Sequence, residues 1–381
     1  MGNFPQNAFL DVLNMSITAS YVIIFVLIAR LFLKKAPKIF SYSLWSIVLF
    51  RLICPFTFSS AFSFLHVAGG SSGKIEYIPS NLEMMAQPQI NTGIHGFDSA
   101  VNASLPAASP AASSNPMQII IFVLAVIWAA GVAFGLFYSF IAYLRLKYRV
   151  RTAMVKDNIW ESEMISSPFV LGIIKPKIYL PTGLNETHRI HILKHEETHI
   201  RRRDYLIKPI AFLTLWVHWF NPLVWISFVL MTKDMEMSCD ERVLKELGTG
   251  IKKDYSMSLL SLAANEHMIK AGPLAFGESN ITSRIKNVLN YRQPVFWITI
   301  AAAVAVVCAG VGLMSNPQAA LTGENALAQE IYQYRTPYLG DNSKVANIVD
   351  RLPVPKTLTR TQIQLLTDKA PYSLEVTYEC K

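Results

Sequence analysis

Apolar residues gather along this chain into five long runs separated by polar stretches. Ile17 to Leu33, Phe40 to Phe58, Met117 to Leu144 and Val295 to Met314 hold at most one charged residue each. A helix needs roughly 20 apolar residues to cross the hydrocarbon core of a bilayer, so each of these four reads as a membrane span. The fifth run, Pro209 to Met231, is as apolar but carries Asn221-Pro222 at its midpoint. Proline removes a helix hydrogen bond and breaks or kinks the helix there. The run is either one span or two half-helices forming a re-entrant or membrane-edge hairpin.

Between the third and fourth spans the pattern changes. "SPFVLGIIKPKIYLP" (Ser167 to Pro181) is β-branched and punctuated by Gly172, Pro176 and Pro181, as in an edge strand or hairpin. "RIHILKHEETHIRRRDYLIK" has no Gly or Pro and is rich in helix formers. The expected fold is a mostly α membrane protein with four transmembrane helices, a small α+β domain and an apolar helical hairpin. Its parts are two spans in 1–58, a flexible loop over 59–116, a third span in 117–149, the domain over 150–290, a fourth span at 295–314 and a C-terminal region over 315–381.

Composition agrees. The 381 residues are 52% hydrophobic and 16% charged, and the mean hydropathy is +0.31; soluble domains carry about a quarter charged residues. The net charge of +9 would suggest nucleic acid in a soluble protein, but here the basic residues border the apolar runs, and no direct nucleic-acid contact is expected. The partner they imply is membrane lipid. Lys34, Lys35 and Lys38 place the first connection inside the cell, and Arg145, Lys147, Arg149 and Arg151 do the same for the 150–290 domain. The N-terminus and the region after the last span then lie outside. Four cysteines without a CxxC pair exclude a cysteine-rich zinc site.

The chemistry is concentrated in "KHEETH". On a helix, His195 and His199 lie one turn apart on one face and can share a cation, with Glu196 beside the first as general base. Taken alone, the motif also fits two solvated histidines on a basic helix. A catalytic zinc needs a third protein ligand, and "KDMEMSCDERVL" offers Glu236, with Asp240 one turn on to orient a histidine from behind. If Glu236 and His199 hold one ion, Pro209 to Met231 cannot cross the membrane once; it must turn back at Asn221-Pro222. His191 and His218 are expected to be decoys, the latter packed among aromatics.

These residues carry a resemblance. "SPFVLGIIKPKIYLP", "HEETHIRRRDY", "WFNPLVW" and "DMEMSCDERVL" are similar, in order and spacing, to the β-lactam-sensing antirepressor family of membrane metallopeptidases, the penicillinase and methicillin-resistance sensor-transducers. The resemblance implies a gluzincin-like zinc protease domain facing the cytoplasm of a bacterial cell membrane. His195, His199 and Glu236 then match the zinc ligands, Glu196 the base, Asp240 an outer partner and Asp204 a recurrent acidic position. It also implies self-cleavage before the last span, which we place at Ala275-Phe276, and proteolysis of a cytoplasmic DNA-binding repressor; a homodimer is one assembly it allows. The departure is at the outer end: about 65 residues follow the last span, no KTG element occurs, and "SSGK" at Ser71 to Lys74 sits in a Gly/Ser-rich loop. A penicillin-binding sensor is therefore not expected, and the chain stops within what reads as a strand, as a fragment would. Two other readings stay open, a membrane quality-control metalloprotease and a non-enzymatic receptor.

Overall fold

The computed structural model describes residues 4–55, 58–60, 62–64, 77–82, 85, 87–107, 115–156, 159–266 and 281–317. Ala275 and Phe276, the expected self-cleavage position, lie outside the described residues.

Helix α1 (Phe4–Phe32) runs out at Arg30 and a basic 3₁₀ turn, Leu33–Lys35. Pro37 holds Ala36 extended, with ψ of 159°, because a residue before proline cannot stay helical without a clash. Helix α2 (Lys38–Ile53) follows and stops ahead of Pro55. Its 16 residues rise ~24 Å, less than the hydrocarbon core. Among the described residues three helices are long and apolar enough to cross a membrane: Pro5–Lys35, Pro116–Arg149 and Phe296–Met314. The expected span at Phe40 to Phe58 is this shorter helix instead, bracketed by its two prolines. Strand β1 (Phe58–Ser60) comes next.

Residues 59–116 were expected to be a flexible loop, and part of that stretch is instead packed. Tyr77, Ile78 and Leu82 share an apolar core with Phe9, Leu10, Met117 and Ile121. Asn14 exchanges two hydrogen bonds of 2.9 Å with the Ile78 backbone, and helix α3 (His95–Ser104) is tied back through Asp98, which accepts from Thr92 N at 2.9 Å. A few apolar residues set in a polar tract find the exposed ends of α1 and α4 to cover. Helix α4 (Pro116–Arg149) begins where the Asn115 side chain accepts from Met117 N and proline occupies the first turn, a favoured helix start.

Four short strands form a sheet in the order β2-β3-β5-β4: β2 (Met154–Lys156), β3 (Ile159–Ser162), β4 (Phe169–Leu171) and β5 (Lys177–Pro181). Strands β4 and β5 are an antiparallel hairpin with β4 at the sheet edge, as the sequence indicates. Gly172 turns it with φ of +118°, and a side chain there would strike the Lys175 carbonyl.

Helix α5 (Glu186–Arg202) starts at Asn185, whose side chain accepts from Thr187 N, and ends at Arg203 in the left-handed conformation, φ 59°. The chain then folds into α6 (Asp204–Val217) and α7 (Pro222–Leu247). The break falls at Asn221-Pro222: Asn221 caps α7, accepting from Leu223 N at 2.9 Å, and Pro222 opens it. The apolar run therefore turns back on itself. Its turn sits beside Leu52 and Ser16, with His218 Nε2 3.1 Å from the Leu52 carbonyl and Asn221 Nδ2 donating to the Ser16 and Ser20 hydroxyls at 2.8 Å. The hairpin thus spans nearly the full length of α2, and Gly131 and Gly135 let α4 close on its Trp219 and Trp216 indoles. Helices α8 (Lys252–Glu266), α9 (Ile281–Asn290) and α10 (Phe296–Met314) complete the fold, and β6 (Ser315–Pro317) pairs in parallel with β1. One apolar core joins α1, α2, the hairpin and α10 through residues such as Val22, Leu44, Val48, Leu215 and Phe228.

Candidate metal centre

The hairpin returns the chain so that α7 lies against α5. His195 and His199 face each other with Nε2 atoms 3.1 Å apart. From α7, Glu236 Oε2 stands 3.3 Å from the first of these and 3.7 Å from the second. Donor atoms on a tetrahedral zinc, with bonds of about 2.0–2.1 Å, lie roughly 3.3 Å from one another. The spacing fits.

The proton positions point the same way. His199 Nδ1 is 2.8 Å from Asp204 Oδ2, and His195 Nδ1 is 3.2 Å from Asp240 Oδ1 and 3.0 Å from the Tyr255 hydroxyl, which itself donates to Asp240 at 2.7 Å. A carboxylate only accepts, so each Nδ1 carries the ring proton. The Nε2 atoms of both histidines and a Glu236 oxygen then converge on one point that a cation would fill, with Arg284 at its rim, Nη2 3.4 Å from His195 Nε2 and Nη1 3.2 Å from Glu236 Oε2. His199 Nδ1, Asp204 and Cys239 form a second group of metal-binding atoms. There the proton on Nδ1 and Arg202, 3.5 Å from Asp204, already supply the positive charge.

Burial would lower the His199 pKa, yet the Cys239 sulfur and the Asp204 and Glu236 carboxylates outweigh it and raise it well above the usual histidine range. His195 is raised too, with burial overcome by Asp240 and Glu236. For Glu236 and Asp240 burial pushes upward, but Arg284 and the histidines hold both well below the ordinary carboxylate range. Burial raises the Cys239 thiol.

Several participants were not singled out in the sequence. Arg284 of α9 grips Asp240 with two hydrogen bonds, 2.9 Å from Nε and 2.7 Å from Nη2, and its Nη1 lies 3.2 Å from Glu236 Oε2. Tyr255 of α8 backs His195, and Tyr42 of α2 donates to Asp204 Oδ1 at 2.9 Å. None of them sits at a motif spacing; the fold alone brings them in. His191 turns away to Ser258 Oγ at 3.1 Å, and His218 is at the hairpin turn, so neither expected decoy is near the trio.

The trio opens on a cavity of about 290 Å³ that Glu196 also lines. Phe169 and Val170 of the edge strand line it, as do the apolar side chains of Ile192, Leu259, Leu262 and Ala263.

A family profile described as BlaR1 peptidase M56 matches residues 10–288, and one described as a domain of unknown function (DUF4825) matches residues 331–381. The chain is 26% identical over 318 aligned residues to the methicillin resistance mecR1 protein of Staphylococcus aureus, covering 73% of this chain and 51% of that protein, with the same figures for Staphylococcus epidermidis. It is 32% identical over 138 residues to regulatory protein BlaR1 of Bacillus licheniformis, covering 34% of this chain and 23% of that one. The chain spans about half the length of the mecR1 relatives it matches.

Proposed function

Because this chain belongs to the BlaR1 peptidase M56 family, we propose that it is a membrane-embedded zinc endopeptidase relaying an external signal by cleaving itself and a cytoplasmic DNA-binding repressor. The observation that carries the reading is the convergence of His195 Nε2, His199 Nε2 and Glu236 Oε2 from the two helices that the apolar hairpin brings side by side.

His195, His199 and Glu236 would hold the zinc, which when bound would supply Lewis acidity toward the scissile carbonyl. Glu196 takes a proton from the attacking water and delivers it to the leaving amine nitrogen. Asp204 and Asp240 keep the ring protons on Nδ1 and so keep the two imidazoles aimed. Arg284 sets a positive charge beside the ligand set, where negative charge develops on the carbonyl oxygen. The exposed edge of β4 pairs with the extended substrate backbone, laying it across the cavity. The self-cleavage bond is Ala275-Phe276.

In this reading the protein lies in the bacterial cell membrane with four crossings, α2 being the second and made passable by packing against α1, α7 and α10. The N-terminus and the region after α10 are outside, and residues 150–290 are cytoplasmic. The test is the full chain in lipid nanodiscs, wild type beside Glu196→Gln. The variant should retain one zinc by elemental analysis and yield none of the self-cleavage fragments that N-terminal sequencing finds in the wild type. Retained proteolysis in Glu196→Gln, or a wild type without zinc, would overturn the assignment.

A further inference from the structure

Helix α2 touches both ends of the protein. At one end the Tyr42 hydroxyl donates to Asp204 Oδ1 at 2.9 Å, while the other oxygen of the same carboxylate is 2.8 Å from His199 Nδ1. One turn on, Trp45 Nε1 donates to Asp234 Oδ2 at 2.8 Å, two residues before Glu236. Asp234 is 1% exposed and is also gripped twice by Arg30, at 2.7 and 2.8 Å. The helix N-terminus is fastened as well, since Lys38 N donates to Glu241 Oε2 at 2.8 Å. At the other end Arg51, 3% exposed, donates from Nε to the Leu313 carbonyl at 2.8 Å and from Nη1 to Asn316 Oδ1 at 3.0 Å. Ser63 Oγ adds a bond of 2.7 Å to the Ser315 carbonyl, and β1 pairs with β6 over three residues. One short helix therefore joins the strand that follows α10 to the carboxylate behind His199 and to Asp234, two residues before Glu236.

We propose that Tyr42 is a positioning residue of the metal centre, acting on His199 through Asp204, and that α2 is the strut by which the position of β6 sets it. This rests on the metal-binding reading above. A helix is stiff along its axis, and interior packing leaves no slack to absorb a shift. A displacement of β6 taken up by Arg51 is thus carried to Tyr42 and Trp45 together. A carboxylate behind a ligand histidine commonly governs metal affinity by 10–100-fold. Tyr42, one bond further back, governs a part of that.

The test uses the full chain in nanodiscs loaded with cobalt(II), whose visible absorption reports ligand geometry, alongside zinc affinity by chelator competition. Tyr42→Phe keeps the ring that Arg202 covers and removes only the hydroxyl. It should weaken zinc binding about threefold to tenfold and change the cobalt spectrum. Arg51→Gln, at the opposite end, should change that spectrum in the same sense, and the double variant should go no further than the larger single change. Where Arg51→Gln does not fold, Asn316→Ala removes one acceptor and takes its place. An unaltered spectrum and affinity in Tyr42→Phe, or an unaltered spectrum in the variant at the far end, would overturn the proposal. A wild type that binds no metal would instead sink the metal-binding reading itself.

Discussion

Arg284 and Asp240 are joined by two parallel hydrogen bonds, 2.9 Å from Nε to Oδ2 and 2.7 Å from Nη2 to Oδ1, with the carboxylate wholly buried. Neither group can lose its partner cheaply. Arg284→Met would leave the buried Asp240 beside the partly exposed Glu236 without that cation, and stranding one member of a buried pair costs about 3–5 kcal/mol. With the arginine 15% exposed, the lower end of that range is expected for the metal-free protein. Bound zinc restores positive charge to the same place. The melting temperature gap between zinc-loaded and metal-free protein should therefore be wider in Arg284→Met than in wild type, read by differential scanning fluorimetry.

Zinc affinity should fall as pH falls, and the window follows from the histidines. His195 and His199 are raised above the usual range in the metal-free site, so the proton held between the facing Nε2 atoms must leave before metal binds, beginning above pH ~6.5. With one proton shared by those two nitrogens, affinity should drop about tenfold per pH unit on the acid side. Glu236 and Asp240 are held low and stay ionised throughout. The metal-free fold behaves oppositely: a raised histidine stabilises it below the unfolded pKa of ~6.5, and that contribution is lost as pH rises through the raised folded value. Chelator competition and melts at pH 6 and pH 8 should show the two trends crossing.

The grouping of His195, His199 and Glu236 and the reversal of the apolar run were legible because each rests on a local rule: histidines four apart share a helix face, and Asn-Pro cannot continue a helix. Strand β4 at the sheet edge followed from its glycine and prolines. Arg284, Tyr255 and Tyr42 were not legible, since each comes from an unremarkable helical stretch and only tertiary packing brings them to the site. The same holds for Tyr77 to Leu82, whose composition reads as loop but whose apolar side chains find α1 and α4. The length of α2 was overestimated because hydropathy runs through Pro55, where the helix does not.

Asp204→Asn should leave the fold intact and weaken zinc binding. An amide at that place supplies either an oxygen or an NH₂ to His199 Nδ1, without the anion that fixes the ring proton there. A loss of 10–100-fold in zinc affinity is expected, with circular dichroism unchanged. Glu241→Gln, which touches Lys38 N and Asn287 but no ligand histidine, serves as the control and should leave zinc affinity within about threefold of wild type.

The cavity wall made by α8 should decide which peptide bonds are cut. Leu259, Leu262 and Ala263 line the same cavity as the trio, together with Phe169 and Val170, so on the proposed reading an apolar side chain beside the scissile bond would lie among them. Burying a group of that size contributes roughly 1.5–3 kcal/mol, and a clash removes it. Ala263→Phe fills part of this space from a residue outside the group His195, His199 and Glu236. It should lower kcat/KM about 10–100-fold for peptides with Phe or Leu next to the cleaved bond. For peptides with Ala there the change should be threefold or less. Zinc content should match wild type, because the ligand set and the carboxylates behind it are untouched. A uniform loss over all peptides would mean that the substrate side chain lies elsewhere and that this wall only supports α8. Comparing the two peptide series at equal zinc loading separates these outcomes, and a preference narrowed toward small residues is the one expected if the α8 side chains that line the cavity cover the substrate.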